Sequence, residues 1–258
     1  MRVAAAQMDI AWHDREQNYT TARRMAGEAK GAGAALFVLP EMFSTGFSMA
    51  SDFTAEPMNG PTPSFLRALA AETGMAVIGG FVLSGNEAGP QNVSLAVNER
   101  GDDLAIYAKI HQIALLGETD NYSPGLSPET FDLEGIRAAC LICYDLRFPE
   151  LFRSLADECG LVTVIASWPA SRQGHWDLLL RARATENQNY VIGVNRVGDG
   201  GGLAFTGGSV VIDPLGEVLA KGNDTETLVI ADIDPARVVE VRTQFPFLKD
   251  RKKHLLGK

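Results

Sequence analysis

Short apolar runs and longer amphipathic runs take turns along most of this chain, and that alternation restricts its fold more than any other feature. Val3 to Met8 reads as a first strand, and Arg15 to Lys30 as a helix ended by Gly31 and Gly33. Ala34 to Leu39 is a second strand stopped by Pro40, Ser64 to Thr73 a helix closed by Gly74, and Met75 to Leu83 a buried strand. The pattern resumes with strands at Ile136 to Ile142, Leu161 to Ser167 and Tyr190 to Asn195, separated by helices at Phe148 to Glu158 and His175 to Asn189. Strands separated by helices point to α/β layers. Two stretches depart from it. Gln91 to Val97 and Ala105 to Ala108 flank the turn Glu99-Arg100-Gly101-Asp102, and Gly207 to Asp213 and Leu228 to Ile233 lie around Asp213-Pro214-Leu215-Gly216. Such hairpin-like pairs make the sheet mixed rather than purely parallel.

No linker rich in Pro, Ser or charge divides 1–258, so one domain is expected. The tail 237–258 reads as a C-terminal arm, because Phe245-Pro246-Phe247-Leu248 needs a surface to cover, a partner subunit being one candidate. The net charge of −9 argues against nucleic acid or an anionic membrane as partner. No run approaches the ~18 apolar residues that span a bilayer, and the N-terminal apolar run is too short for a secretory signal. Three cysteines cannot close a disulfide set, so free thiols and a cytoplasmic location are expected. Asn-X-Ser/Thr triplets at Asn18, Asn92 and Asn223 then read as chance matches.

Chemistry concentrates at three strand ends. Glu41 follows Ala35-Leu36-Phe37-Val38-Leu39-Pro40, at the sheet edge where open α/β folds bind ligands. Lys109 ends Leu104-Ala105-Ile106-Tyr107-Ala108. Cys143 ends Ile136-Arg137-Ala138-Ala139-Cys140-Leu141-Ile142, where the chain turns toward a helix. Turn amides there can face an oxyanion, and their polarity favours thiolate. Taken singly, the glutamate also suits a loop cap and the lysine a solvated surface. Together they spell a general base, a cation and a nucleophile, the parts of a cysteine hydrolase acting on a carbon–nitrogen bond.

Rival readings of the same residues are weaker. Cys140 and Cys143 form Cys-x-x-Cys, but an offset of three on a strand puts the side chains on opposite faces, and no second Cys/His pair has metal spacing. Cys140 and Cys159 are read as packing residues. His13, His111, His175 and His254 offer no metal spacing either. Glu118, in the polar loop after Lys109, reads alone as a surface residue. Gly198-Asp199-Gly200-Gly201-Gly202 lacks the ending of a phosphate cradle.

At Leu39-Pro40-Glu41, Tyr107-Ala108-Lys109-Ile110-His111 and Cys143-Tyr144-Asp145-Leu146-Arg147-Phe148-Pro149-Glu150 the chain resembles the nitrilase (carbon–nitrogen hydrolase) superfamily, and the likeness runs from Val3 to about Asp234. The resemblance implies a four-layer α-β-β-α sandwich with mixed sheets, a homodimer formed through helical faces, and no metal or organic cofactor. It implies Glu41 as base, Lys109 as oxyanion-stabilising cation, Cys143 as nucleophile and Glu118 as a second glutamate of the site. Met42-Phe43-Ser44-Thr45-Gly46-Phe47-Ser48-Met49, Ser167-Trp168-Pro169-Ala170-Ser171-Arg172 and Ala182-Arg183-Ala184-Thr185-Glu186-Asn187-Gln188 look like the omega-amidase branch, whose substrates are small 2-oxo-dicarboxylic acid monoamides. One departure is Gln112-Ile113 after His111, where His-Leu-Phe is common; it alters one pocket wall.

In that frame the Tyr144 N–H is the second oxyanion donor, and Phe43, Tyr107 and Trp168 are candidate walls that suit core packing equally. Arg172 is the candidate for the substrate carboxylate and also suits a surface salt bridge. N-carbamoyl amines, aliphatic amides and nitriles remain as other substrates for the same triad. A catalytically silent thiol sensor or binding module is the reading from another class.

Overall fold

A computed structural model describes residues 1–85 and 89–252. Two sheets carry the chain. The first contains β1 (Arg2–Gln7), β2 (Leu36–Val38), β3 (Ala55–Glu56), β4 (Ala76–Leu83), β5 (Gln91–Val97) and β6 (Asp103–Ala108). The second contains β7 (Thr130–Leu133), β8 (Ile136–Ile142), β9 (Leu161–Ile165) and β10 (Tyr190–Val194). A small hairpin of β11 (Val197–Gly200) and β12 (Leu203–Thr206) follows. β13 (Val210–Ile212) and β14 (Val218–Lys221) then return to the second sheet, and β15 (Thr227–Asp232) to the first. Each sheet has a parallel centre, β1-β2-β4 and β8-β9-β10, flanked by antiparallel strands, with the two-residue β3 added parallel to the end of β4. The expected mixed α/β architecture is therefore present as two mixed sheets.

The helices are α1 (Arg15–Gly31), α2 (Ser51–Thr54), α3 (Pro61–Thr73), α4 (Glu118–Asn121), α5 (Pro149–Leu155), α6 (Gln173–Asn187) and α7 (Pro235–Gln244). Local chemistry sets their ends. Asp14 caps α1 by accepting from the Gln17 amide at 3.0 Å, and Pro61 opens α3, where its missing N–H costs nothing. Gly74 closes α3 at φ +68, a left-handed turn that needs no Cβ.

Period-two alternation distributes the first sheet between two cores. Val3, Ala5, Leu36, Val38, Ala76 and Ile78 face the second sheet, whose Ala138, Leu141, Val162 and Val164 belong to the same cluster. Ala4, Ala6, Phe37, Leu39 and Val77 face the other way, onto Met25 and Ala26 of α1 and Leu66 and Leu69 of α3. Each aliphatic side chain of Val or Leu size removed from water contributes about 1.5–3 kcal/mol.

The late hairpin differs from expectation. The Asp213-Pro214-Leu215-Gly216 turn joins β13 to β14, and β15 leaves to pair antiparallel with β1. The reason lies in burial on both faces of β15: Val229 joins the inter-sheet core while Leu228 and Ile230 pack toward the core under α1 and α3. The strands at 130–133, 197–200, 203–206 and 218–221 escaped the sequence reading; they are short, and only a partner strand makes them regular.

Of the tail 237–258, residues 253–258, with His254, lie outside the described residues. Its first part belongs to α7, which buries Val238 against this chain's own core and also buries Val241. Arg242 of α7 also donates to the carbonyls of Gln188 at 3.0 Å and Cys159 at 2.8 Å. Among the described residues no helix is long and apolar enough to cross a membrane.

Candidate active site

Topology explains why residues far apart in sequence share one edge. β2 and β4 run parallel, β5 runs back and β6 forward again, so the C-terminal ends of β2 and β6 and the N-terminal end of β5 coincide. Glu41 and Lys109 follow the first two of those ends, and Asn92 is near the start of the third. Cys143 follows β8 of the facing sheet and Ser167 follows β9, its parallel neighbour.

The Lys109 ammonium, 1% exposed, donates to Glu41 Oε1 at 3.0 Å and to both oxygens of Glu118 at 2.8 Å. Glu41 Oε1 also accepts from Asn92 Nδ2 at 2.8 Å, and its Oε2 from the Ser167 amide at 2.8 Å. Glu118, fully buried at the start of α4, accepts in addition from Asn92 Nδ2 at 3.1 Å and the Ile113 amide at 2.8 Å. Burial works against the charge on Lys109, yet the Glu41 and Glu118 carboxylates outweigh it and hold the ammonium well above the usual lysine range.

The Cys143 thiol interacts with this cluster, with a side-chain contact to Glu41. Burial pushes the thiol well above its ordinary value; the Glu41 and Glu118 carboxylates add to that, and Lys109 opposes it without prevailing. Of the two routes open to such a nucleophile, a lowered pKa or deprotonation during attack, these surroundings favour the second, with the protonated thiol beside an acceptor. The backbone there is equally specific. Cys143 has φ +46, and Met42, next to Glu41, has φ +45, both in the left-handed region that costs a non-glycine residue about 1–3 kcal/mol.

Asp145 secures the Cys143 turn from below. It is fully buried and accepts from Tyr107 Oη at 2.8 Å, the Ile142 amide at 3.1 Å, and the His111 backbone amide and Nδ1, each at 2.9 Å. Arg183 of α6 donates to the Leu146 carbonyl at 2.9 and 3.2 Å from the other side.

A narrow pocket opens above the sulfur, lined by Cys143, Tyr144, Trp168 and Arg172 among the sequence candidates, together with Phe47, Ile113 and Arg147. Two candidate walls are elsewhere. Phe43 is fully buried against Tyr19 and Phe65 at ring separations of 6.2 and 6.0 Å, so it is core. Tyr107 is buried with its hydroxyl committed to Asp145. Both fail as walls because the strand pleat and the Met42 turn aim them away from the opening. Phe47, four residues beyond Phe43, takes that place, with Lys109 Nζ 5.3 Å from its ring centre. Ile113, part of the departure noted in the sequence, forms the wall there.

The sequence reading missed Asn92 and gave Arg147 no role. A polar side chain inside the apolar run of β5 was the available signal for the first. Nothing local marks Arg147, whose guanidinium lies 4.7 Å over Trp168 and 5.6 Å over Tyr144 and hydrogen-bonds His175 Nδ1 at 3.3 Å. Among the described residues neither Arg147 nor Arg172 is in an ion pair.

Known proteins carry the same organisation. The family model for carbon–nitrogen hydrolases matches residues 2–243. The chain is 33% identical to the 2-oxoglutaramate amidase of Bacillus subtilis (strain 168) over 255 residues, covering 98% of both. It is 36% identical to omega-amidase YafV of Escherichia coli (strain K12) over 253 residues, covering 97% of this chain and 96% of the relative. Among solved structures it superposes on XC1258 of Xanthomonas campestris, a superfamily protein with an arsenic adduct in its active site, with a TM-score of 0.89, 34% identity, and 98% and 97% coverage. A mutant amidase from Nesterenkonia sp. AN1, with acrylamide added to its active-site cysteine, matches with a TM-score of 0.88, 28% identity, and 99% and 98% coverage. With a family model spanning almost the full length and relatives above 30% identity across it, this chain belongs to the carbon–nitrogen hydrolase (nitrilase) superfamily, hydrolases of carbon–nitrogen bonds other than peptide bonds.

Proposed function

We propose that this protein is an amidase that hydrolyses the terminal amide of a small 2-oxo-dicarboxylic acid monoamide, such as 2-oxoglutaramate or 2-oxosuccinamate, through a thioester, releasing ammonia. The observation that carries this reading is a pair of half-buried guanidiniums, Arg147 and Arg172, in the same pocket as Cys143 and without carboxylate partners among the described residues. In a chain of net charge −9 such a pair needs an anion, and a substrate carboxylate supplies one. The names of the two amidase relatives support the same class.

In the mechanism, Cys143 Sγ attacks the amide carbon as its proton passes to Glu41 Oε2, the oxygen with only one donor already on it among the described residues. The oxyanion is held by the Tyr144 amide, at the first turn of a 3-10 segment where backbone N–H groups have no helical acceptor, and by the charge of Lys109. Glu41 returns the proton to the leaving nitrogen, ammonia departs, and a thioester remains. Water then adds to the thioester with its proton taken by Glu41, and collapse frees the acid and the thiol. Glu118 keeps Lys109 in place.

Ammonia release from 2-oxoglutaramate, N-carbamoyl amines, aliphatic amides and nitriles tests the assignment. The expected result is a kcat/KM for 2-oxoglutaramate about 100-fold or more above that of an uncharged amide of equal length, the scale of two charge-assisted contacts. Preference for any other class overturns the substrate. Absence of an acyl adduct at Cys143 by mass spectrometry under turnover overturns the mechanism and favours a thiol sensor.

A homodimer through the outer helices belongs to the same proposal. Leu178 on α6 is 68% exposed, an apolar side chain that such a contact would cover. Sedimentation velocity should read a dimer that Leu178→Glu converts to monomer; a monomeric unaltered chain excludes it.

A further inference from the structure

The Glu41–Lys109–Glu118 cluster sets two buried carboxylates against one ammonium and so has one negative charge in excess, away from solvent. Lys109 is not alone in holding them apart. Asn92, 2% exposed, donates from its single amide nitrogen to Glu41 Oε1 at 2.8 Å and to Glu118 Oε1 at 3.1 Å. Its backbone carbonyl accepts from the Lys109 backbone amide at 2.9 Å, so one residue contacts both carboxylates and the main chain of the lysine between them. We infer that Asn92 is a positioning residue for the hydrolysis: it holds and orients the Glu41 carboxylate so that Oε2 receives the Cys143 proton. This rests on the reading of Glu41 as the general base.

The geometry selects asparagine. Two N–H bonds on one planar nitrogen diverge toward two acceptors, as the two carboxylates require. Aspartate would set a third carboxylate against them, serine has one proton to give, and glutamine is longer by a methylene. With Asn92 and Lys109 both on Oε1, that oxygen is occupied by two donors, whereas among the described residues Oε2 accepts from the Ser167 amide alone and keeps a lone pair for the thiol. Turning the amide over would point oxygen at both carboxylates. The orientation seen leaves Asn92 Oδ1 buried and, among the described residues, without a partner, a sacrifice that side-chain packing alone does not call for. The site on β5 also matters: because β5 runs antiparallel to β4 and β6, its first residues arrive at the edge where β2 and β6 end.

The titratable groups facing Glu41 are Lys109 from the end of β6, Cys143 from the end of β8, Glu118 from α4 and the Tyr122 phenol that follows it. Removing a donor from a carboxylate favours its protonated form. In Asn92→Ala, measured with 2-oxoglutaramate, kcat should therefore fall about 10- to 100-fold with KM changed less than about threefold. The acidic limb of the kcat/KM profile should move up by about one pH unit. Asn92→Asp should be worse than Asn92→Ala, and Asn92→Ser, with one donor, should recover part of the rate. If Asn92→Ala does not fold, Asn92→Ser carries the same pH readout. An acidic limb that coincides with that of the unaltered enzyme, in an enzyme that Cys143→Ala inactivates, overturns the positioning role alone. Activity surviving in Cys143→Ala overturns the underlying mechanism instead.

Discussion

The backbone amide of Ser167, just past a strand of the second sheet, donates to Oε2 of Glu41, just past a strand of the first, at 2.8 Å. That bond crosses the sandwich at the floor of the pocket and ties the acceptor carboxylate to the sheet that carries the thiol.

Glu41→Gln separates the two effects of that carboxylate on Cys143. Losing the base should lower ammonia release by about 10²- to 10⁴-fold. The carboxylate also raises the thiol, so the neutral amide should let Cys143 ionise at lower pH. Alkylation by iodoacetamide at about pH 8 should accordingly be faster in the variant than in the unaltered enzyme. Slower alkylation contradicts the charge argument.

Lys109→Met leaves two buried carboxylates without their cation. Breaking a buried pair in this way costs about 3–5 kcal/mol, to be read from urea unfolding. The uncompensated carboxylates can be relieved by protonation, so the deficit should shrink as pH falls. A deficit independent of pH would show that the cluster does not depend on Lys109 for its charge balance.

Gly80 on β4 lies so close to the site that an added Cβ would sit 2.8 Å from both Glu41 Cα and the Met42 nitrogen, and 2.9 Å from Ile165 across the sandwich. Backbone cannot step aside cheaply, so Gly80→Ala should cost about 1–3 kcal/mol and lower kcat by displacing Glu41. Gly27 within α1 has nothing within 4 Å of its added Cβ. Gly27→Ala should instead stabilise by about 0.5–1 kcal/mol with kcat unchanged. Thermal unfolding and steady-state rates check both.

Arg147→Ala should raise KM for 2-oxoglutaramate about 10- to 100-fold, the scale of one charged contact, and leave an uncharged amide of equal length nearly unaffected. Arg147→Lys should recover little, because the planar guanidinium stacks on Trp168 as well as carrying charge. Equal losses for both substrates would make Arg147 a structural residue.

Much of this architecture is written locally. Proline after Leu39, glycine after Thr73 and the alternation within Val3 to Met8 act on a few neighbouring dihedrals, and they placed Glu41, Lys109 and Cys143 at strand ends before any fold was in view. Glu118 is different: a charged residue in a polar loop has no local mark of burial, and only the family likeness raised it above the surface.

Pairing across the fold decided the rest. The division into two sheets, the departure of β15 from β13, and the antiparallel turns that deliver Asn92 and Lys109 to the same edge all depend on strands separated by tens of residues. The same holds for side chains: Phe43 and Phe47 have similar neighbours in sequence, yet the left-handed turn at Met42 sends one into the core and leaves the other at the pocket. Whether Cys143 carries a proton was equally invisible, because a thiol's ionisation follows from the carboxylates and the dryness around it. Sequence determines which groups each strand end offers; the pairing of strands determines which of those groups share a buried volume, where electrostatics is strong enough to govern their chemistry.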